Sequence, residues 1–333
     1  MNRFSIADCT SVEAALSQLN GDAVVKAGGV DLLDRMKDGI QQPTRLVNIR
    51  NVASLRGIRE TDQGLTIGPL TTLAEISDSP VIRERYQILS DACGHAATPH
   101  IRNMATVGGN LLQHVQCWYY RSADFQCIRK GKEFCFAFEG LNQYHAIMEY
   151  GGCPSVAPSS AAVALLGLGA TVELTSAQRG KRIVGIRELY VVPDANPTKF
   201  NILEPDELIT AIYIPRPAPG TRSAYQKYGE KESFDWAIAD AGVVLEMDGD
   251  TCRRAVITMS AASPVIRRSP QAEAALGGKP INEETARAAG RVAVEGAQPL
   301  SANAYKLDLF PVAVYRTVLL AAGKMDRDPR AAG

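Results

Sequence analysis

The residues best suited to redox chemistry lie between Ala97 and Cys153. Thr106-Val107-Gly108-Gly109-Asn110 puts a hydroxyl, an amide and two glycines within five positions. A turn of that make-up can bring backbone amides against a large anionic cofactor. Cys117, Cys127, Cys135 and Cys153 follow directly, with nine, seven and seventeen residues between successive thiols. That is not the C-x-x-C pairing of zinc ribbons or bacterial ferredoxins. Spacing alone therefore leaves a metal cage and incidental thiols both open. Trp118, Tyr119, Tyr120, Phe125, Phe134, Phe136, Phe138, Tyr144 and Tyr150 share the window. Such rings would shield a cluster from water and tune its potential. The plainer alternative is an aromatic-rich loop packing on its own domain. A cofactor turn joined end to end with a thiol cage describes a protein that passes electrons.

A second glycine turn, Gly28-Gly29, lies between the expected strand Ala23 to Ala27 and a helix holding Leu32, Leu33 and Met36. Without a Cβ the backbone can approach a pyrophosphate, and the helix N-terminus after it favours negative charge. The bland alternative is a turn that holds no ligand. It is neither a G-x-G-x-x-G fingerprint nor a P-loop, so those mechanisms do not transfer. Two such turns in one chain strengthen the case for a dinucleotide bridging both. Lys227 would lower the cost of negative charge on a phosphate or a reduced cofactor; otherwise it is a solvated surface lysine. His95, His100, His114 and His145 show no i, i+4 metal pairing and read first as solvated loop residues. There is no Gly-x-Ser-x-Gly elbow and no isolated Cys/His nucleophile pair, so the chain need not hold a substrate-transforming site.

Several elements must position these residues. Thr10-Ser11-Val12-Glu13 reads as a capping box opening a helix. The strand after Ala23, the helix after Gly29 and the strand Arg45 to Ile49 form a βαβ unit, ending the first subdomain near residue 55. A second subdomain, 56–218, has a strand at Gly64 to Gly68, a capping box at Thr72-Leu73-Ala74-Glu75 and a helix around Ile82 to Cys93. It continues with the cysteine segment at about 113–155, a helix at Ser160 to Leu168 and strands at Ala170 to Leu174 and Ile212 to Ile214. Pro215 to Gly220 cannot continue a ladder and reads as a linker. The third part, 221–333, has a hairpin turning at Asp248-Gly249. Two amphipathic helices near Glu283 to Glu295 and Ala304 to Ala322 should cover its sheet.

The 333 residues suffice for two or three such units. Lys plus Arg and Asp plus Glu number 36 each, so no electrostatic case exists for nucleic acid or an anionic membrane. No apolar run is long enough to span a bilayer, and the first residues lack the apolar core of a signal peptide. Seven cysteines, four of them clustered, favour metal ligation in a reducing compartment over a disulfide scaffold. Cys9, Cys93 and Cys252 read as plain buried thiols.

Lys26-Ala27-Gly28-Gly29-Val30-Asp31-Leu32 resembles the Ala-Gly-Gly-Thr-Asp-Leu motif of the flavin subunits of molybdenum hydroxylases, the xanthine dehydrogenase family. Ile101 to Leu111 is very similar to that family's second motif. Tyr225-Gln226-Lys227 with Asp235 and Ala237 resembles its third, and Glu207-Leu208-Ile209 its domain-closing strand. The resemblance implies an α+β fold: a two-subdomain FAD-binding fold of the PCMH/vanillyl-alcohol-oxidase type plus a C-terminal domain of antiparallel sheet with helices. It implies FAD held by Val25, Lys26, Ala27, Gly28, Gly29, Val30, Asp31 and Leu32 around the pyrophosphate. Thr106, Gly109 and Asn110 would hold it from the other side, Ala96 and Ala97 would lie near the flavin, and Ser160, Leu208 and Lys227 would complete the site. Val30 stands where a Thr or Asn is usual, and Ser160 where an Asp is usual. Losing one neutral hydrogen bond costs about 0.5–1.5 kcal/mol, so FAD binding should survive both.

Four cysteines just after Gly-Gly-Asn resemble one branch of the family, which includes 4-hydroxybenzoyl-CoA reductases and bacterial aldehyde oxidoreductases. That branch adds a [4Fe-4S] cluster to the flavin subunit, here on Cys117, Cys127, Cys135 and Cys153. The segment Leu141 to Ala146 is closer to the aldehyde oxidoreductases. The partners implied are a large molybdenum-cofactor subunit and a small subunit with two [2Fe-2S] clusters, in a heterotrimer serving an external electron acceptor. The compartment would be the cytoplasm, or the periplasm through export with a signal-bearing partner. The competing readings are a flavin subunit of a 4-hydroxybenzoyl-CoA reductase-like or heterocycle-hydroxylating enzyme, a freestanding flavoprotein oxidase, and a zinc-stabilised binding protein.

Overall fold

A computed structural model describes residues 2–231 and 235–327. The last six positions of the expected C-terminal unit, 328–333, lie outside the described residues. The first sheet is parallel, with β3 (Arg45–Asn48) between β1 (Ser5–Asp8) and β2 (Ala23–Lys26). α1 (Val12–Gln18) joins β1 to β2, and α2 (Val30–Lys37) joins β2 to β3. The βαβ expectation thus describes β2, α2 and β3. Sequence reading missed β1, whose four residues are mostly exposed and carry no alternating apolar signal. The first capping box is corrected by one position. Ser11 rather than Thr10 is the N-cap, its hydroxyl accepting from the Ala14 N–H at 3.1 Å. The second box forms as expected: Thr72 Oγ1 accepts from the Glu75 N–H, and Glu75 Oε2 accepts from the Thr72 N–H at 2.7 Å.

The second sheet is antiparallel, in the order β4 (Ile58–Thr61), β5 (Gly64–Ile67), β8 (Glu207–Pro215), β6 (Thr171–Ser176), β7 (Gly180–Gly185). The helices Gln87–Gly94 and Ser160–Gly167 are buried in its core. The single helix expected around Ile82 to Cys93 is two, Pro80–Arg85 and Gln87–Gly94. Between them Tyr86 leaves helical geometry (φ −131°, ψ 43°) and buries its ring.

Glu207 starts β8 with its side chain 2 % exposed, and Arg182 on β7 reaches over β6 to pair with it bidentately at 2.8 and 2.7 Å. Arg182 is the foremost cause holding the Glu207 carboxyl below its ordinary pKa. A depressed carboxylate stabilises the fold above the unfolded pKa and loses that contribution as pH falls through the folded one. Arg182→Met should therefore lower stability by about 1 kcal/mol at neutral pH, the charged hydrogen bonds being discounted for the half-exposed arginine. Thermal unfolding should show the gap between variant and wild type closing as pH falls below the glutamate range. A constant gap would point to lost packing instead.

The third sheet is also antiparallel: β9 (Thr221–Tyr228), β10 (Ala239–Asp248) and β11 (Thr251–Met259), with short strands at β11's edge. β10 and β11 form the expected hairpin, turning through Gly249-Asp250. Pro270–Leu276, Glu283–Val292 and Lys306–Ala321 pack on this sheet in one apolar core. The first of these helices was not foreseen. Ile147 and Met148, from the cysteine segment, are buried in the same core. Among the described residues no helix is long and apolar enough to cross a membrane.

Candidate functional site

A cleft of about 300 Å³ opens where the first two sheets meet. All of the residues expected to hold the cofactor line it, except Lys26, whose ammonium lies 3.5 Å from the Ala27 carbonyl oxygen. One wall is the β2–α2 turn. Gly29 caps α2 in the left-handed region (φ 81°), which a Cβ would strain. The N-terminus of an eight-residue helix so capped favours an anion.

Gly28 corrects an expectation. The space of its missing Cβ is taken up by protein, because a Cβ there would overlap the Met104 carbonyl oxygen. Gly108 is packed likewise against Pro69, whereas a Cβ on Gly109 would meet only the Thr106 hydroxyl. Gly28 thus lets the two turns touch each other, Gly108 lets the second turn sit against Pro69, and both turns still line the cleft.

Thr106 Oγ1 accepts from the Gly109 N–H at 3.2 Å, so it caps its own short helix. Ser159 donates its hydroxyl to Asn110 Oδ1 at 2.7 Å, which fixes the amide and leaves its NH₂ as the other end. Ser160 Oγ accepts from the buried Tyr225 hydroxyl at 3.0 Å. Ala97 is left-handed (φ 46°), a strained conformation for a residue with a Cβ. The buried Arg102 holds it there, its guanidinium donating to the carbonyls of Ala96 (3.2 Å) and Ala97 (2.9 Å). Lys227 is no solvated lysine. Its ammonium donates to the carbonyls of His95 (2.5 Å) and Asp235 (2.8 Å), and burial lowers its pKa.

Asp31 lines the cleft and faces the cysteine segment. Its Oδ2 accepts from Arg35 Nε at 3.0 Å and from the His114 N–H at 3.2 Å, and its Oδ1 accepts from Arg121 Nη2 at 2.5 Å. His114 is therefore not solvated: its ring meets the Tyr120 hydroxyl at 2.6 Å and stacks on Phe200 at 4.1 Å. Burial and then Arg35 push its pKa well down. Asp31→Asn should cost about 2 kcal/mol, since charged hydrogen bonds to the buried Arg35 and the half-buried Arg121 weaken together. Thermal unfolding of variant and wild type checks this. An unchanged midpoint would mean the carboxylate's charge is not used.

The four clustered thiols converge. Cys127 and Cys153 are buried, while Cys117 and Cys135 are half-buried. Cys135 and Cys153 share a hydrogen bond, and Cys117 feels the charge of Cys153 and Cys127. The shared proton favours Cys153 as thiolate, helped by Arg129, and raises Cys135. Burial pushes Cys117 up to about 12. Among the described residues no group of three or more His, Cys, Asp or Glu is placed to hold a metal ion. An iron–sulfur cube holds its thiolates farther apart than one ion does, and an all-thiol donor set suits it. Four thiols are a donor set for such a cluster, as they are for zinc. Tyr119, Phe125, Phe134 and Phe136 make edge-on and stacked contacts beside the thiols, although Phe134 and Phe138 stay exposed. Cys9, Cys93 and Cys252 are buried elsewhere, as expected.

A second cavity, of about 360 Å³, is lined by Cys117, Trp118, Tyr144 and His145 and shares Asp235, Trp236 and Ala237 with the cleft. Sequence reasoning passed over Trp236, and also Pro69, Leu70 and Leu203 of the cleft wall. Trp236 did carry a signal, as one of only two tryptophans in the chain. The others look like ordinary core residues until the sheets meet.

This geometry is matched by known proteins. Residues 2–217 match the FAD binding domain in molybdopterin dehydrogenase, and residues 223–321 match the CO dehydrogenase flavoprotein C-terminal domain. The aldehyde oxidoreductase FAD-binding subunit PaoB of Escherichia coli K12 is 34% identical over 244 residues, 72% of this chain and 76% of that protein. The carbon monoxide dehydrogenase medium chain of Hydrogenophaga pseudoflava is 28% identical, over 94% of this chain and 89% of its own. Carbon monoxide dehydrogenase from that organism superposes with a TM-score of 0.76 at 27% identity, covering 98% of this chain and 99% of the other. Quinoline 2-oxidoreductase from Pseudomonas putida 86 superposes at 0.77 with 25% identity and the same coverage.

The chain belongs to the FAD-binding medium subunits of the molybdenum hydroxylase and CO dehydrogenase family. It is an oxidoreductase subunit with the α+β fold expected, an FAD-binding unit followed by the flavoprotein C-terminal domain.

Proposed function

We propose that this chain is the electron-transfer subunit of a heterotrimeric, molybdenum-containing aldehyde oxidoreductase. It takes electrons from a large molybdenum subunit and a small subunit with two [2Fe-2S] clusters and delivers them to an external acceptor. Bound FAD supplies the redox chemistry, and a [4Fe-4S] cluster on Cys117, Cys127, Cys135 and Cys153 supplies a one-electron store. We divide the chain for these roles at 1–55, 56–218 with the cluster segment at about 113–155, and 221–333.

One observation carries the reading: the FAD cleft and the cavity that Cys117 lines share one wall, Asp235 to Ala237. The chain's residues divide the work. The α2 N-terminus and the Thr106–Asn110 turn cradle the pyrophosphate. Arg102 and Lys227 hold the backbone around Ala96 and Ala97. The thiols and their rings keep water from the metal. The cluster rests on the four thiols; aldehyde as substrate rests on likeness to PaoB. The test is composition and substrate range of the complex purified without oxygen. One FAD, four irons and four labile sulfides on this subunit, with aldehydes oxidised faster than nitrogen heterocycles, are expected. FAD without this subunit's iron would remove the cluster, and preference for heterocycles would remove the aldehyde assignment.

A further inference from the structure

We infer that His145 is a positioning residue that donates its Nε2–H to the Cys117 sulfur and thereby sets the potential of the proposed cluster. The inference rests on the cluster reading above. His145 Nε2 lies 3.3 Å from Cys117 Sγ, and the residue is 3 % exposed. The ring stands edge-on to Trp118 at 5.7 Å, with Tyr119 at 6.3 Å. Its Nδ1 is buried and meets no partner. A neutral imidazole carries one N–H, which belongs where an acceptor is. The Cys117 sulfur, as the thiolate a bound cluster would require, is such an acceptor, and a bare Nδ1 lone pair costs less than a bare buried N–H.

The ring has this place because the C-terminal domain clamps its backbone. The His145 N–H donates to the Asn142 carbonyl at 3.0 Å. The fully buried Asn303 donates its Nδ2 to the carbonyls of His145 and Ala146, each at 3.1 Å. The Lys306 ammonium donates to the carbonyls of Tyr144 (3.2 Å) and Ala261 (3.0 Å). Tyr305 donates its hydroxyl to the Gln143 carbonyl at 2.8 Å. A chain segment gripped this closely does not carry its imidazole to Cys117 by drift. Cys117 and His145 also line the cavity that shares the Asp235–Ala237 wall with the FAD cleft. The donor therefore acts on the one clustered thiol that lines this cavity.

An N–H aimed at a ligating sulfur stabilises the more negative, reduced cluster and raises its potential. The test is an EPR-monitored redox titration of the assembled complex with wild type, His145→Leu and His145→Gln. Iron content should match in all three. The cluster midpoint should move to more negative potential in H145L and return part of the way in H145Q, which keeps a donor. A separate measurement needs no variant: with ¹⁵N-labelled histidine, the reduced wild-type cluster should show a nitrogen hyperfine coupling. Equal midpoints in the three proteins overturn the inference. So does a wild-type cluster with four irons and no histidine coupling, and that measurement decides the matter should H145L lose its iron. A complex in which this subunit carries no iron overturns the cluster reading and takes the inference with it.

Discussion

Cys127→Ser is expected to strip most of the iron from this subunit and leave its FAD in place. Cys127 is 4 % exposed and packs with Val115 and Tyr120 in a small apolar cluster of its own. None of the four clustered cysteines lines the FAD cleft, so the two losses should separate. Serine has nearly the same shape, but its hydroxyl is a hard, neutral donor where iron–sulfur chemistry wants a soft thiolate. The variant should fold, since the change removes no volume that Val115 and Tyr120 need. Cys93→Ser is the matched control. Cys93 is fully buried, with its thiol pushed up to about 12, and lies in the core of the second sheet. It should keep both FAD and iron. Iron and flavin are counted per subunit on the anaerobic complex. Iron in Cys127→Ser equal to that of wild type removes Cys127 from the ligand set.

Much of this site could be read from local sequence, because much of it is local chemistry. Gly28-Gly29 between strand and helix, and Thr106 to Asn110, announce themselves through residue types that few other roles require. The structure brings both to one cleft. Thr72 and Glu75 spell their capping box within four positions, and the box forms. What stayed hidden depends on partners far along the chain. His145 reads as a loop histidine until Asn303 and Lys306, some 160 residues later, fold back over its backbone. His114 looks equally ordinary until Arg35 and Phe200 enclose it. Gly28 was legible as important, but for only part of the reason. The neighbour that forbids its side chain is the Met104 carbonyl, and no spacing rule reports which backbone will cross a turn. β1 was missed because its pairing with β3, not its own pattern, makes it a strand.

That crossing predicts the second large effect. Gly28→Ala should lower FAD affinity at least tenfold, a loss of about 1.4 kcal/mol or more. The added methyl would run into the Met104 carbonyl oxygen, with the carbonyl carbon at 3.0 Å and the Ala105 Cα at 3.6 Å behind it. These are backbone atoms and have no rotamer to escape into. Met104 and Ala105 directly precede the Thr106–Asn110 turn, whose hydrogen bonds fasten it to Pro69 and Thr71. Relief must therefore separate the two turns that together form the cofactor cleft. Overpacking of this kind costs about 1–3 kcal/mol in stability, so the apparent melting temperature should fall as well. Gly277→Ala separates crowding from the mere loss of a glycine, because a Cβ there meets nothing closer than 3.8 Å and the φ is ordinary. It should bind FAD like wild type. FAD retained per subunit after gel filtration, and a flavin titration of the stripped complex, give the measurement. Wild-type affinity in Gly28→Ala would mean that the turns can part without disturbing the cofactor, and that their contact is packing with no bearing on FAD.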